Sequence, residues 1–250
     1  PKLILKYREY EKLRSTYIEG LKNEVVKNRV HTSYNLFGTT TGRLSSEKPN
    51  LQNIPNKTDM GQRIREFFIA DSKHVFVIAD YSQIELRVLA HLSNDKSMID
   101  MLQNRESDIH SETASKIFQT NIESVTKDMR RKAKEVNFGL IYGMESFGLS
   151  KSLNISKKEA QELIEAYFSQ FPQIKGFLDK IGDDATTNTF TETLYGRKRY
   201  IKELSSSNFQ LKAMGKRIAM NAPIQGTASD IMKIAMIKLN KEIQKIKSTD

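Results

Sequence analysis

The sequence of 250 residues contains no cysteine. It also lacks an uninterrupted apolar run of the length needed to cross a bilayer, about 20 residues. Without cysteine the chain forms no disulfide, no thiolate zinc site and no cysteine nucleophile. The first residues, PKLILKYREYEKLRS, do not have the pattern of a signal peptide. These absences fit a reducing compartment, so we expect a cytoplasmic location and no membrane partner.

Acidic residues are in deficit, with 30 Asp and Glu against 40 Lys and Arg, which gives a formal net charge of +10. An excess of positive charge favours an anionic partner. Nucleic acid fits best because the basic residues are spread through the chain, although surplus lysine can also serve solubility alone. The hydrophobic content of 38% argues against disorder. The chain begins at Pro1 without an initiator methionine, so we expect it to be a piece of a longer protein.

The first third of the chain changes character twice. Residues 2–27 have apolar positions at helical spacing, and residues 31–55 are rich in Thr, Ser, Asn, Gly and Pro, which predicts loops or weak strands. The β-branched run HVFVIAD then predicts a buried strand that ends on Asp80. Apolar residues recur at helical spacing from Ile84, so a tight junction and a helix are expected to follow the strand.

The remainder of the chain is predicted to be mostly helical. Helices are expected through residues 95–182, and a hairpin is expected in residues 185–204, which are rich in Thr and aromatic residues and contain a Tyr-Gly turn. From Asn208 we expect two helical stretches joined across Asn221-Ala222-Pro223, with the proline starting the second. The expected layout is a sheet-containing base interrupted by a helical insertion.

In the segment RRKAKEVNFGLIY, two cations and two aromatic residues recur at a spacing of four: Arg130, Lys134, Phe138 and Tyr142. We call these four residues the stripe. On a helix each four-residue step drifts by only about 40°, so the stripe shares one face about 18 Å long. Cations suit phosphates and a ring suits a base or sugar, which favours a nucleoside triphosphate. An amphipathic helix with a solvent-exposed basic end and a buried aromatic end gives the same spacing.

Two carboxylates lie close to the predicted strand end. Asp80 would leave the core there and face a substrate, and a carboxylate in that position suits Mg²⁺. A surface Asp that caps the next helix is equally consistent. Ser82 and Glu85 have the Ser-x-x-Glu spacing of a capping box, which gives Glu85 an adequate structural role.

Further polar residues fit nucleic acid but also fit an ordinary surface. Arg217, Asn221 and Gln225 step by four, and one Arg with two amides suits the acceptors of the minor groove. An exposed polar helix face accounts for them equally well. Arg43 lies in TTTGRLSS, a loop that could approach a backbone closely, although such loops are common. His110 could reach a phosphate, or it could be a packed or surface histidine.

Together these segments resemble the family A DNA polymerases of the bacterial DNA polymerase I type. The resemblance runs over almost all of the chain, in the family's order and with its approximate separations. It is carried by TGRLSSEKPNLQNIP, VIADYSQIELRVLAHLS, DIHSETAS, RRKAKEVNFGLIYGM and RIAMNAPIQGTASDIMK.

The resemblance implies an α+β fold: a right-hand polymerase palm, with an antiparallel sheet and helices, interrupted by a mostly helical fingers subdomain. Residues 1–94 would be the end of the thumb and the first part of the palm, residues 95–205 the fingers, and residues 206–250 the second part of the palm. The implied activity is template-directed addition of dNTPs to a primer 3′-hydroxyl. The implied partners are primer–template DNA and dNTP, with two Mg²⁺ ions as cofactors. The chain would be a monomer or part of a longer or split polymerase, near the nucleoid if the source is bacterial.

Catalytic roles are also implied by the resemblance. Asp80 resembles the first catalytic metal ligand of the palm, with the Tyr81 backbone beside it. Lys134 is placed to give charge or a proton to the departing phosphates. Glu85 resembles the steric gate, whose side chain occupies the space that a ribose 2′-hydroxyl would need.

The remaining roles concern nucleotide and DNA. Arg130 and Lys134 resemble the triphosphate contacts, Phe138 the ring near sugar and base, Tyr142 the residue at the template side, and His110 an added phosphate contact. Residues that resemble DNA contacts near the primer terminus are Arg43, Arg217, Asn221, Gln225 and Gly143, the glycine leaving room for a strand of nucleic acid.

One departure from the family limits this interpretation. The family's second catalytic carboxylate lies in a His-Asp-Glu motif on a hairpin after the NAPIQG helix, and none of the four histidines here is followed by Asp. Most of the thumb would precede Pro1. We therefore expect the chain to be inactive or weak by itself.

A non-catalytic nucleotide-binding or DNA-binding fragment remains an alternative. A single-subunit RNA polymerase shares the palm, but Glu85 and the TGRLSS and QNIP segments argue against it.

Overall fold

The computed structural model describes residues 2–55, 58–104 and 108–247. The chain divides into two compact units, Pro1–Tyr81 and Ser82–Asp250. Long helices and three two-stranded antiparallel sheets make up the described residues, so the predicted α+β class is confirmed. Within these residues no helix is both long and apolar enough to cross a membrane.

The first unit begins with a continuous helical stretch, as predicted. It comprises α1 (Lys2–Lys12), a π-helical segment (Leu13–Glu19) and α2 (Gly20–Asn23). Leu13, Tyr17 and Leu21 are spaced by four, so they share one face, and they form a small core with Ile64. The hydroxyl of Tyr17 donates a hydrogen bond to the carbonyl oxygen of Asn53 at 2.5 Å, which ties the loop region to this core.

The loop region of the first unit carries short hairpins. Strands β1 (Val25–Val26) and β2 (Arg29–Val30) pair, so the helix predicted over residues 2–27 ends earlier, at Asn23. Strands β3 (Ser33–Asn35) and β4 (Ser45–Glu47) pair within residues 31–55, where loops or weak strands are predicted, and confirm that prediction. Helix α3 (Asp59–Arg65) follows and is capped by Thr58, whose side-chain oxygen accepts a hydrogen bond from the Gly61 amide at 3.2 Å.

The predicted buried strand in HVFVIAD is wrong. No strand forms in residues 73–81, and the apolar side chains there are exposed, with Val77 at 89% and Ile78 at 87%. A strand needs a hydrogen-bonding neighbour as well as β-branched residues, and none of the described residues pairs with this segment. The segment is therefore irregular and in no sheet of the described residues, and Asp80 lies at its end in an exposed position.

The second unit is predominantly helical, which confirms the expectation for residues 95–182. Its principal helices are α4 (Ile84–Ser93), α5 (Lys96–Gln103), α6 (Ile109–Phe118), α7 (Lys127–Ile141), α8 (Ser146–Leu153), α9 (Lys157–Gln170), α10 (Pro172–Asn188) and α11 (Phe209–Lys247). Their apolar faces converge on one core. Asp95 connects two of these helices, because its carboxylate accepts hydrogen bonds from the Met98 amide at 2.9 Å and from the Gln173 amide at 3.2 Å.

The predicted hairpin is present, as β5 (Phe190–Glu192) paired with β6 (Lys198–Tyr200). The two predicted helical stretches at the end of the chain are instead one helix of 39 residues, α11, with Pro223 inside it. An internal proline removes one helical hydrogen bond and costs about 3 kcal/mol in an exposed helix. Here Pro223 is buried between Ala222 and Ile224, which lie in the protein interior, and this packing offsets the loss.

Candidate nucleotide-binding face

The stripe lies on a single helix, α7, as its spacing predicts, and we therefore call it the α7 stripe. Thr126 begins α7 by accepting a hydrogen bond from the Met129 amide at 3.2 Å, and Tyr142 ends it. Arg130 and Lys134 are exposed, while Phe138 is half-buried and Tyr142 is 43% exposed. The buried side of the helix is formed by Ala133, Val136, Asn137, Leu140 and Ile141. The stripe is therefore the accessible face of an amphipathic helix, and its cations can reach a ligand.

Arg130 is held by a carboxylate from the neighbouring helix. Its Nε donates to one oxygen of Asp108 at 2.6 Å, and one terminal nitrogen donates to the other oxygen at 3.1 Å. Asp108 also caps α6, because it accepts hydrogen bonds from the Ser111 amide at 3.1 Å and from the Ser111 hydroxyl at 2.5 Å. This two-point pair fixes the plane of the guanidinium at the start of the stripe.

The Asp108 pair makes a testable contribution to stability. Burial would raise the pKa of Asp108, but the hydrogen bonds from Arg130 and Ser111 outweigh it and lower the pKa to about 2. For a carboxylate with a lowered pKa, the stabilisation is present above its unfolded pKa, about 4, and is lost as the pH falls through the folded value. Because both side chains are more than a third exposed, we expect Asp108→Asn to lower the free energy of unfolding by about 0.5–1 kcal/mol at pH 7.

Asn still caps a helix, so this substitution isolates the charge. Denaturation of the wild type, Asp108→Asn, Arg130→Gln and the double variant between pH 7 and pH 2 measures the coupling between the two side chains. The coupling should shrink between pH 4 and pH 2. A coupling that is constant over this range would show that the ion pair does not stabilise the fold.

His110 belongs to a buried polar network between α6 and α7. It is 6% exposed, and its ring centroid lies 5.6 Å from that of Phe138. Nδ2 of Asn137 lies 3.3 Å from Nδ1 of His110 and donates to the Thr113 hydroxyl at 3.0 Å. Burial lowers the pKa of His110, Asp108 opposes this, and Arg130 and Lys134 lower it further. The surroundings of His110 therefore favour the neutral imidazole, which lies beside the stripe.

Glu85 does not cap its helix, so the capping-box interpretation is wrong. Helix α4 begins only at Ile84, after Gln83 has adopted a left-handed conformation (φ 48°), and the Ser82 side chain hydrogen-bonds to Gln83. A box starting at Ser82 is thereby ruled out. Glu85 is 8% exposed and accepts a hydrogen bond from the Tyr142 hydroxyl at 3.0 Å. The two residues join the last position of the stripe to α4.

Helix α11 packs against the end of α7. Gly143 has φ +66°, and a Cβ atom there would lie 2.9 Å from Cγ and 3.2 Å from Cα of Arg217. The room at Gly143 is thus filled by Arg217, whose guanidinium lies 3.6 Å from the Glu145 carboxylate. Asn221 donates to the Ile141 carbonyl oxygen at 3.4 Å. Arg217 and Asn221 are therefore brought together with the stripe, and Gln225 lies half-buried one turn further along α11.

Three of the predicted site residues lie in the first unit. Asp80 and Tyr81 are exposed at the end of the irregular segment. Arg43 is exposed in a turn where the Thr39 hydroxyl donates to the Arg43 carbonyl oxygen at 2.7 Å and Gly42 has φ +81°. Within residues 2–55, 58–104 and 108–247, no group of three or more His, Asp or Glu side chains could hold a metal ion. Asp80 is therefore not part of a group of three such side chains among these residues.

The sequence interpretation missed three residues of this face. Asp108 binds Arg130, while Asn137 and Thr113 surround His110. A signal for Asp108 was available, since an Asp directly before a helical pattern is a strong N-cap candidate. No comparable signal marks Asn137 and Thr113, because they lie on different helices and are 24 residues apart in sequence.

Comparison with known proteins places this geometry in context. Residues 1–249 match the family described as DNA polymerase family A. The chain is 49% identical over 244 residues to DNA polymerase I of Caldicellulosiruptor bescii, covering 97% of the chain and 29% of that protein. It is 47% identical over 245 residues to the thermostable DNA polymerase I of Thermus aquaticus, again covering 97% and 29%. The chain thus spans less than a third of these relatives.

A solved structure shares the fold. It is the POL domain of Pol1 from M. smegmatis in complex with DNA primer-template and dNTP, with a TM-score of 0.90 and 42% sequence identity. The match covers 97% of this chain and 43% of that one.

Proposed function

Because the chain belongs to DNA polymerase family A, we propose that it is the part of a DNA-directed DNA polymerase that holds the incoming dNTP against primer–template DNA. The observation that carries this proposal is the α7 stripe, a face with two exposed cations at one end and two accessible rings at the other. The related Pol1 domain was solved with the same two ligands. We propose a cytoplasmic location and a monomer, or part of a longer polymerase, for the working state.

The nucleotide roles follow the order of groups along α7. Arg130 and Lys134 would bind the triphosphate through charge-assisted hydrogen bonds, and Phe138 would contact the sugar and base. Tyr142 would lie at the template side of the new base pair. Glu85 would exclude a ribose 2′-hydroxyl, which its burial and its hydrogen bond from Tyr142 support, because both restrict the carboxylate to one position. Lys134 would also give charge or a proton to the departing pyrophosphate.

The DNA roles belong to the residues around the end of α7 and to Arg43. Arg217, Asn221 and Gln225 lie along one side of α11, with Gly143 packed on Arg217, and they would contact acceptors of the minor groove near the primer terminus. Arg43 would contact the DNA from its exposed turn. Such contacts do not distinguish sequences, which suits an enzyme that copies any template.

The metal chemistry cannot be completed by the described residues. Two-metal nucleotidyl transfer by this family would place both Mg²⁺ ions on Asp80, with the Tyr81 backbone beside it. A single carboxylate does not fit a two-ion site, since Mg²⁺ demands near-octahedral oxygen coordination. We therefore propose that the 250-residue chain is inactive or weak in nucleotidyl transfer by itself.

Primer extension tests both the proposed polymerase activity and the proposed inactivity of the 250-residue chain. The 250-residue chain is compared with a longer chain that adds the family's His-Asp-Glu hairpin, with Mg²⁺ and with either dNTP or NTP. We expect the longer chain to incorporate dNTP and the shorter chain to be weak or inactive. No extension by the longer chain would sink the polymerase proposal and leave a non-catalytic binding fragment. A preference for NTP would favour an RNA polymerase, and full activity of the shorter chain would contradict its proposed inactivity.

Direct binding tests the α7 stripe without catalysis. We expect Lys134→Ala to weaken dATP binding to the chain by about tenfold, because it removes one charge-assisted hydrogen bond worth about 1.5 kcal/mol. Calorimetric titration with dATP measures the change. The control is Lys158→Ala, which removes the same charge from a side chain on α9 that is 88% exposed. Equal losses for the two variants would mean that only the net charge of the chain attracts the nucleotide.

A further inference from the structure

We propose that Asn137 is a positioning residue that fixes the neutral imidazole of His110 with its proton on Nε2, so that His110 offers an uncharged N–H donor to a triphosphate. The identity of the ligand, a triphosphate, rests on the proposed function. The tautomer rests only on contacts between α6 and α7, where His110 and Thr113 face Asn137. Asn137 and Thr113 are fully buried, so water does not compete for these hydrogen bonds.

The direction of the network is set at Thr113. Its hydroxyl has one proton, which it donates to the Ile109 carbonyl oxygen one turn back at 2.7 Å. This is a common hydrogen bond for Thr within a helix. With its proton committed, the Thr113 oxygen can only accept, so the Asn137 atom 3.0 Å away must be the amide nitrogen. The contact to the other end of the Asn137 amide is longer, at 3.5 Å.

The same amide nitrogen of Asn137 then decides the state of His110. It has two protons, one directed at Thr113 and the other at Nδ1 of His110, 3.3 Å away. An N–H group cannot donate to a protonated nitrogen, so Nδ1 must be the acceptor and the imidazole proton must be on Nε2. Protonation of Nδ1 would break this hydrogen bond, which is consistent with the lowered pKa of His110.

The charges around His110 favour an uncharged N–H donor over an imidazolium at this position. The charged groups that influence His110 are Asp108, two residues before it on α6, and Arg130 and Lys134 on α7. A protonated His110 would place a third positive charge beside Arg130 and Lys134, and these two cations would repel it. That charge would also change with pH near neutrality. A fixed Nε2–H donor adds one directional contact to a phosphate oxygen and keeps it constant across that range.

The wild-type chain decides the tautomer without any substitution. Long-range ¹H–¹⁵N correlation spectra of histidine-labelled chain distinguish protonated from unprotonated ring nitrogens, and the His110 signals are assigned by their loss in His110→Gln. We expect His110 at pH 7.5 to show an unprotonated Nδ1 and a protonated Nε2. A proton on Nδ1 would overturn the proposal.

Asn137→Asp provides the second test, because a carboxylate accepts and does not donate. We expect it to move the neutral proton of His110 to Nδ1 and to raise the pKa of His110 by about one unit or more. Asn154→Asp, which adds the same charge at an exposed position after α8, should leave both unchanged. An Asn137→Asp variant that folds and keeps the wild-type tautomer and pKa would refute the positioning role. If that variant does not fold, the wild-type spectrum remains decisive.

Addition of dATP, or of inorganic tripolyphosphate as a probe of the phosphate contacts alone, separates this inference from the proposed function. We expect both ligands to shift the His110 Nε2 signal and to leave Nδ1 unprotonated. An Nε2–H tautomer with no nucleotide binding would contradict the proposed function while supporting the role of Asn137. Nucleotide binding that shifts the Lys134 signals and leaves the His110 Nε2 signal unchanged would overturn the donor role of His110.

Discussion

Asp95→Ala is expected to lower the free energy of unfolding by about 3 kcal/mol, because it removes the acceptor of the buried Met98 amide and of the partly buried Gln173 amide. Asp95 is 1% exposed and begins α5 by accepting from the Met98 amide. Its second oxygen accepts from the Gln173 amide in the first turn of α10, where the preceding residue is a proline without an N–H. One carboxylate therefore caps two helices, although Asp95 and Gln173 are 78 residues apart in sequence.

Two further variants separate capping from other effects of the Asp95 substitution. Asp95→Asn keeps one carbonyl acceptor but turns an amide toward the other donor, so an intermediate loss of about 1–2 kcal/mol is expected. Asp100→Ala removes the same carboxylate from an exposed position on α5 and should change stability by less than about 0.5 kcal/mol. The chain has no tryptophan, so urea unfolding is best followed by circular dichroism.

Amide hydrogen exchange at Met98 and Gln173 gives a local measure of the same effect. Both amides should lose protection in Asp95→Ala, and the Gln173 amide should lose more than the Met98 amide in Asp95→Asn. Equal destabilisation by Asp95→Ala and Asp100→Ala would show that Asp95 does not act as a double cap.

Gly143→Ala is expected to cost about 2–3 kcal/mol, the sum of a left-handed backbone for an L-residue, about 1–2 kcal/mol, and a steric overlap with Arg217. The new Cβ would lie 3.2 Å from the Arg217 Cα atom, and backbone cannot move aside as a flexible side chain can. The end of α7 would have to separate from α11. Tyr142 would move with it, so we also expect weaker nucleotide binding than in the wild type.

The chain offers a matched control for this glycine. Gly196 has φ +75°, and a Cβ atom there would have no atom within 4 Å. Gly196→Ala should therefore show only the backbone cost, about 1 kcal/mol, with unchanged nucleotide affinity. The difference between the two variants in urea unfolding measures the contact between Gly143 and Arg217. No difference would mean that the two helices can adjust without loss.

The sequence predicts the α7 stripe well because the relevant pattern is local. A spacing of four over 13 residues, with the helix-capping residue Thr126 before it, predicts a helix and no other regular structure. The helix then brings the cations and the rings to one face. The same reasoning succeeds for the hairpin β5–β6. In both cases the residues that decide the structure are close together in the chain.

The failures have non-local causes. The run HVFVIAD has strand propensity but finds no pairing partner among the described residues, and Pro223 has a helix-starting preference that burial of its neighbours overrides. Glu85 matches a capping motif, but Gln83 is left-handed and the helix starts one residue later than the motif requires. The Glu85 carboxylate instead accepts a hydrogen bond from the Tyr142 hydroxyl. The contacts of Asp108 and Asn137 join separate helices and have no periodic signal.

The exposed segment around Val77 and Ile78 also governs how the chain should behave in concentrated solution. Four consecutive large apolar side chains are exposed there, and the segment is in no sheet of the described residues, so it could pair edge to edge with a second copy. The net charge of +10 opposes such encounters at low ionic strength. Salt shortens the range of this repulsion to about 8 Å at physiological ionic strength and leaves the apolar attraction intact. We therefore expect copies of the chain to associate more readily as the ionic strength rises.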